Sequence, residues 1–474
     1  MELKYINILL KVEETFVPKA KYVFNTISHI LGLKPRYFTG MTSQTIHIYY
    51  GKRSEEEYPI HIFHSPYASD FFTAKELYPP EIVNLVKYKD EYIPFLFSKQ
   101  GEIFRFTSNS IRIRKDIISS AFYFLTCWQE HASSKEISPT NPYDYSSSIQ
   151  YRFGFVDVPP VDRYCELFED MLDRAFPEYV RSNIWPAGKK FAVSLSHNVE
   201  YWNFWTDAHI KAMIKRKVRL FKKNSLKALY KVVLHKMDKK YFYDPSKLVK
   251  KIIKKEKFFK TTSSFFLLTK TDFPDKRRNY FADEIYFQQI VKLLQNSSVN
   301  LQGSKEAGYQ YHFLPQELDK LEGFTANGFR IRYLNFNYQN LFKVLEKAKI
   351  KFDSSIGFDE NIGYRAGISY PFYPYNIEEN RSFNVLEIPI IAMDRTLLNQ
   401  IGGNFKKAKK QIENLLKKSK KHKSHISISW HNHIFDWVDF PRWGNLYWKL
   451  IQYSRYNSGW LCSLDKLYNY WKNR

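Results

Sequence analysis

The stretch FAVSLSHNVEYWN, residues 191–203, decides how the chain is read. It starts as an alternating apolar run, the pattern of a buried strand, and stops on Ser196, His197, Asn198 and Glu200. These residue types bind metals and move protons. Asn198 is the odd member, because a carboxamide oxygen is scarcely basic.

Downstream of this strand the pattern repeats. Candidate strands fall at 191–197, 261–268, 298–302, 350–354, 385–391, 425–430 and 459–462, with helical spacing at 282–295, 338–349 and 404–422. Strands separated by helices imply parallel pairing and right-handed crossovers. Six or seven such units suggest a distorted or incomplete (β/α) barrel, whose functional side chains sit at the carboxyl ends of the strands. Ser196–Glu200 and His431–His433 both occupy such ends.

Upstream, residues 1–185 read as a smaller mixed α/β domain. KYINILLKV, TIHIYYG and YPIHIFH are strand-like. PKAKYVFNTISHILGL has helical spacing at Val23, Ile27, Ile30 and Leu31, with Gly32 as its stop. RKDIISSAFYFLTCWQEHA and VDRYCELFEDMLDRAF read as further helices, and PEYVRSNIWPAGKK as the linker. The expected class is therefore α/β, with domains at 1–185 and 186–474.

A chain of 474 residues suits two or three domains, and 44% hydrophobic residues permit packed cores. Aromatics reach 18%, with 35 Tyr and 39 Phe, which fits either a flat-ligand groove or the codon usage of an AT-rich genome. The net charge of +25 favours acidic partners: nucleic acid or another anionic polymer, an anionic membrane surface or an acidic glycan. Residues 211–260 hold about 19 Lys or Arg against about three acids, and 406–423 form a second basic stretch. Either is a docking surface or a solvated helix face. No base-reading motif is present, so sequence-specific nucleic-acid binding is not expected. Cys127, Cys165 and Cys462 are distant from one another and fit a reducing compartment. The N-terminus reads as a strand rather than a signal peptide, and no apolar run could span a bilayer, so a cytoplasmic location is expected. A Gly-rich phosphate loop with Lys-Ser/Thr, a Gly-x-Ser-x-Gly elbow and a dinucleotide fingerprint are all missing.

LSHNVEYW resembles the first motif of polysaccharide deacetylases, carbohydrate esterase family four. It is most similar to a divergent branch that carries Ser-His-Asp-Val-Asp there. GFRIRYLNF (328–336) resembles that branch's Gly-x-Arg-x-His-Tyr-Leu-x-Phe stretch. FDSSIGFDENIGYRAGISYPFYPYN (352–376), LEIPIIAMDRTL (386–397) and SWHNHIF (429–435) resemble its later segments. DIISSAFYFLTCWQEH and FGFVDVPPVDRY resemble an uncharacterised domain that precedes the barrel in this branch.

The resemblance implies a metal-dependent deacetylase acting on acylated sugars, with a glycan or glycan precursor as partner. Mapped onto it, Asn198 stands at the catalytic Asp and Glu200 at the second acid. Gln302 and Arg332 stand at His positions. Arg365 could clamp an anion bidentately or pair with Asp359 or Glu360. Asp394 could orient a neighbour or cap a helix. His431 maps to the late His. The catalytic candidates are thus Asn198, Glu200, Arg365, Asp394 and His431, with His197, Gln302, Arg332 and Tyr364 for substrate contact. No cofactor is expected. If the site were active it would take a zinc-like divalent metal, on His197, Glu200 and His431. An impaired deacetylase is the expectation; a non-catalytic glycan-binding module or a basic surface adaptor is the alternative.

Overall fold

The computed structural model describes residues 4–474 apart from 53, 55, 80–83, 100, 134–137, 139–140, 203–210, 212–214, 216–245, 271–279, 283 and 437–438. Most of the basic 211–260 stretch therefore lies outside the described residues. No helix among the described residues is long and apolar enough to cross a membrane.

The N-terminal region contributes β1 (Tyr5–Lys11), β2 (Lys34–Phe38), β3 (Ile48–Gly51), β4 (Ile60–Phe63), β5 (Asn84–Tyr88), β6 (Glu91–Phe95), β7 (Phe104–Phe106) and β8 (Ile111–Ile113). Six of these form a sheet in the order β2-β1-β3-β4-β8-β7, parallel except for the β7–β8 hairpin, while β5 and β6 pair separately. Two-residue alternation gives the sheet two different faces. Ile8, Ile48, Ile60 and Ile111 lie in register on one face. They join a core with the helices Val17–Leu31, Ile117–Leu125 and Pro160–Ala175. Gly32 ends the first helix at φ 71°, a left-handed conformation that glycine adopts without Cβ strain. The second row, Leu9, Tyr49, His61, Arg112 and Arg105, runs in register across the other face.

The C-terminal region is built around β9 (Phe191–Val199), buried along its whole length. Then follow β10 (Ser264–Leu268), β11 (Ser298–Gly303), β12 (Gly328–Ile331), β13 (Phe352–Asp353), the small hairpin β14 (Tyr375–Asn376) and β15 (Arg381–Ser382), β16 (Leu386–Glu387), β17 (Ala392–Met393), β18 (His425–Ser429) and β19 (Gly459–Ser463). The order β16-β13-β12-β11-β10-β9-β18-β17, with β19 also on β9, is parallel throughout. This is the expected incomplete barrel. The helices Glu284–Leu294, Tyr338–Lys347 and Phe405–Lys421 match the helical spacing closely.

Two expectations are corrected. The predicted strand 385–391 is one extended segment serving two edges. Leu386–Glu387 pairs with β13, and Ala392–Met393 pairs with β18 at the far end of the sheet. Ile388 N donates to Asp353 O, and three residues later Ile391 N donates to Ser427 O. Pro389, which has no N–H to place, sits at the crossing. The second correction is β12, a buried strand not expected from the sequence, which carries Arg330 and ends just before Arg332 in GFRIR.

Aromatic side chains fill the core: Trp128, Trp202, Trp430 and Trp471 are all fully buried. On the basic helix Phe405–Lys421, Ile412, Leu415 and Leu416 face the core, while Lys418 and Lys421 pair with Asp157 and Asp90 of the N-terminal region.

Candidate functional site at the barrel mouth

On β9 the side chains alternate, so Ser196 and Asn198 point into the barrel and His197 points out. Inside lies Arg330 of β12, fully buried. Its guanidinium spans the interior. Nη1 donates to Asn198 Oδ1 at 2.8 Å and to Ser429 Oγ at 3.0 Å; Nη2 donates to Ser196 Oγ at 2.9 Å and Ser354 Oγ at 3.1 Å; Nε donates to Ser354 O at 3.0 Å. The Phe266 ring lies 4.0 Å beneath it. Burial pulls the Arg330 pKa down to about 9, opposed by Asp353 and Glu387, so the cation persists at neutral pH. Those two acids form a buried pair. Burial pushes Asp353 up to about 6, and burial with the Asp353 charge lifts Glu387 further.

The carboxyl end of β18 supplies His431. The chain leaving β17 supplies Asp394, first residue of the helix Asp394–Ile401. Asp394 accepts from the His431 backbone N at 2.9 Å, and its Oδ1 lies 2.7 Å from His431 Nδ1. With Nδ1 so held, Nε2 faces the mouth, 3.8 Å from Glu200 Oε1 and 3.5 Å from Asn198 Nδ2. Burial alone would lower the His431 pKa, but the Asp394 carboxylate, helped by Glu200, outweighs it and holds the pKa above the ordinary value. Burial would likewise raise Asp394, yet the charge of His431 holds it low. The pair is an oriented acid–base couple: Asp394 fixes the ring, and Nε2 can hold or release a proton at the mouth.

Further charges rim this couple. Arg395 Nη2 pairs with Asp359 Oδ2 at 3.0 Å. Lys305, Arg332 and Arg395 all lie over the Tyr333 ring, at 5.3, 4.9 and 5.2 Å. The Tyr280 hydroxyl ties β9 to β10, donating to Val199 O at 2.6 Å and accepting from Leu268 N at 2.8 Å.

The structure thus brings Asn198, Glu200, Asp394 and His431 together. Gln302 is the register partner of Arg330 on the neighbouring strand, and its Oε1 is buried without a hydrogen-bond partner among the described residues. Arg332 is fully buried and, with Glu200, lies close enough to bias the Tyr280 hydroxyl. Three candidates lie elsewhere. His197 contacts Trp430 O at 2.9 Å and Glu256 Oε1 at 3.1 Å in the helical layer outside the barrel. Arg365 meets Glu130 of the N-terminal region bidentately, both contacts at 2.7 Å, rather than Asp359 or Glu360. Its Nη1 donates to Leu334 O and Gly357 O. Tyr364 is buried on the side of Asp162 and Arg163. Residue types alone did not reveal Arg330, Asp359, Arg395 or Tyr333. The signal for Arg330 was the Arg-x-Arg spacing of GFRIR, of which only Arg330 lies on the strand.

A divalent metal of the kind the resemblance implies does not fit these residues. Asn198 Oδ1 is engaged by a guanidinium, and a second guanidinium, Arg332, is buried close by. Among the described residues no three His, Cys, Asp or Glu side chains are grouped to hold an ion.

Residues 8–177 match a family of unknown function (DUF7033). No curated protein matches the chain in sequence. Among solved structures, a Mycobacterium smegmatis protein provisionally described as a polysaccharide deacetylase aligns over 61% of this chain and 92% of its own, at 12% identity and a TM-score of 0.40. An alignment to CpGH84D spans 88% of this chain and 70% of that one, at 9% identity and a TM-score of 0.17. At such scores neither alignment carries weight, and the barrel is defined by its own strand order.

Proposed function

We propose that the chain is a polysaccharide deacetylase-like protein of surface-glycan metabolism whose metal-dependent deacetylase site is impaired and whose mouth binds a glycan or glycan precursor. One observation carries this reading: Arg330 donates at 2.8 Å to the side-chain oxygen of residue 198. Such a cation would hold an Asp there ionised. It meets an amide instead, which cannot take a proton from water at neutral pH. Arg330 also stands at the Arg of the Gly-x-Arg-x-His-Tyr stretch in the resemblance, so the partner is kept while the base is lost. The Asp394–His431 couple supports retained recognition of a polar ligand at the same mouth.

The test is metal content after dialysis, with deacetylation and binding of acetylated oligosaccharides measured beside it. Purified wild type is expected to hold well under one equivalent of zinc, cobalt or nickel, and to bind oligosaccharide without turnover. The Asn198→Asp, Gln302→His double variant is expected to gain metal uptake or activity. One equivalent of metal in wild type, or turnover there, defeats the reading.

A further inference from the structure

The other face of the N-terminal sheet holds a second site. A cavity of about 660 Å³ opens at the carboxyl ends of β4 and β8, within the size range of small-molecule sites. Five of its lining residues are cationic, Lys52, Lys99, Arg105, Arg112 and Arg114, and one is a carboxylate, Asp70. The placement follows from the register. His61, Arg112 and Arg105 are direct partners across three neighbouring strands, so both guanidiniums and the imidazole share one face.

Lys52 is partly neutralised by Glu13 at 3.3 Å. Lys99, Arg105, Arg112 and Arg114 have no carboxylate partner among the described residues. Arg112 Nε is buried and lacks a hydrogen-bond partner among them. Buried donors are normally paired, so Arg112, which lines the cavity, retains unused donor capacity. The helix Pro66–Ala74 starts at the rim, and its N-terminus adds partial positive charge. Phe63, Tyr67 and Phe97 supply an apolar wall.

We infer that this cavity binds a soluble organic phosphate carrying at least two negative charges, of the pyrophosphate-ester class. Two forked guanidiniums in one row suit adjacent phosphoryl groups. The aromatic wall takes the organic part, and the concave shape suits a discrete molecule over a lipid surface.

Calorimetry on the full chain tests this with inorganic phosphate, inorganic pyrophosphate and a nucleoside diphosphate, alongside sedimentation with vesicles containing phosphatidylglycerol. Saturable binding is expected in the order nucleoside diphosphate, pyrophosphate, phosphate, weakening as salt rises. The Arg105→Gln, Arg112→Gln variant is expected to lose about tenfold or more, the scale of one charge-assisted hydrogen bond. Arg105→Gln alone, at an exposed position, keeps the test open if the double variant folds poorly. Asp70→Asn is expected to tighten binding. Unchanged affinity in the folded variants overturns the assignment, as does vesicle binding without any soluble phosphate binding.

Discussion

The barrel mouth and the open face of the N-terminal sheet both carry arginines on strands, yet they treat charge in opposite ways. At the mouth, the charged groups around Arg330 and His431 meet protein partners, although Gln302 Oε1 is left without one among the described residues. Arg330 meets two strand-borne hydroxyls, a third at Ser354 and one amide, His431 meets Asp394, and Arg395 meets Asp359. On the open face, four cations line a cavity with no carboxylate partner among the described residues, and only Asp70 among the lining residues opposes them. A buried cation must be paired, because leaving it unpaired costs several kcal/mol. A cation at an open cavity can leave its pairing to water and to a ligand. Internal saturation around Arg330 marks an interior that holds the barrel together, and uncompensated charge on the open face marks a surface left for a ligand.

Arg330→Met is the strongest way to break this contrast. It strips the partners from Asn198, Ser196, Ser429 and Ser354 O, and removes the cation facing the Asp353–Glu387 pair. The expected loss is about 3–5 kcal/mol of stability, read from chemical denaturation. Arg330→Lys keeps the charge but not the fork, and is expected to recover only part. If Arg330→Met were neutral, the saturated interior would not be holding the barrel together.

A middle-sized effect is expected at the acid–base couple. Asp394→Asn removes a charged partner from His431, at about 1.5–3 kcal/mol. The sign with pH follows from the two shifts. His431 is raised in the folded state, so its contribution is fully present below the ordinary histidine pKa and is lost as pH rises through the folded value. Asp394 is lowered, so its contribution is present above the ordinary carboxyl pKa and is lost as pH falls through the folded value. The cost of Asp394→Asn should therefore peak between those limits and shrink in alkali. NMR titration of the His431 ring should show a lower pKa in the variant, and an unmoved pKa would mean that Glu200 rather than Asp394 sets it.

Much of the barrel was legible in the sequence because parallel strands buried on both faces read as apolar runs, as at 191–199, 425–429 and 459–463. β12 was not, because arginines in GFRIR mimic a surface segment until the strands opposite supply their acceptors. The pairing of Arg365 with Glu130 spans 235 positions and joins two regions, so nothing local announces it. Part of the site was available from parity alone. His197 and Asn198 are consecutive on a strand, so they cannot both face the barrel interior. Glu200 and His431 lie beside Asn198, while Arg330, which holds the Asn198 side-chain oxygen, stands two residues before the Arg332 that the motif match selected.

The smallest expected effect sharpens the contrast from the other side. Arg105 and Arg114 are exposed and pair with no carboxylate among the described residues, so Arg105→Gln and Arg114→Gln should each change stability by no more than about 0.5 kcal/mol. The sign should be informative. Removing one of several like charges around a cavity relieves repulsion, so the variants should melt slightly higher than wild type at low salt. That gain should vanish in about 1 M salt, where the screening length falls to about 3 Å. A salt-independent loss of stability would mean that these arginines brace the sheet as Arg330 braces the barrel, and the open face would then be structural like the barrel interior.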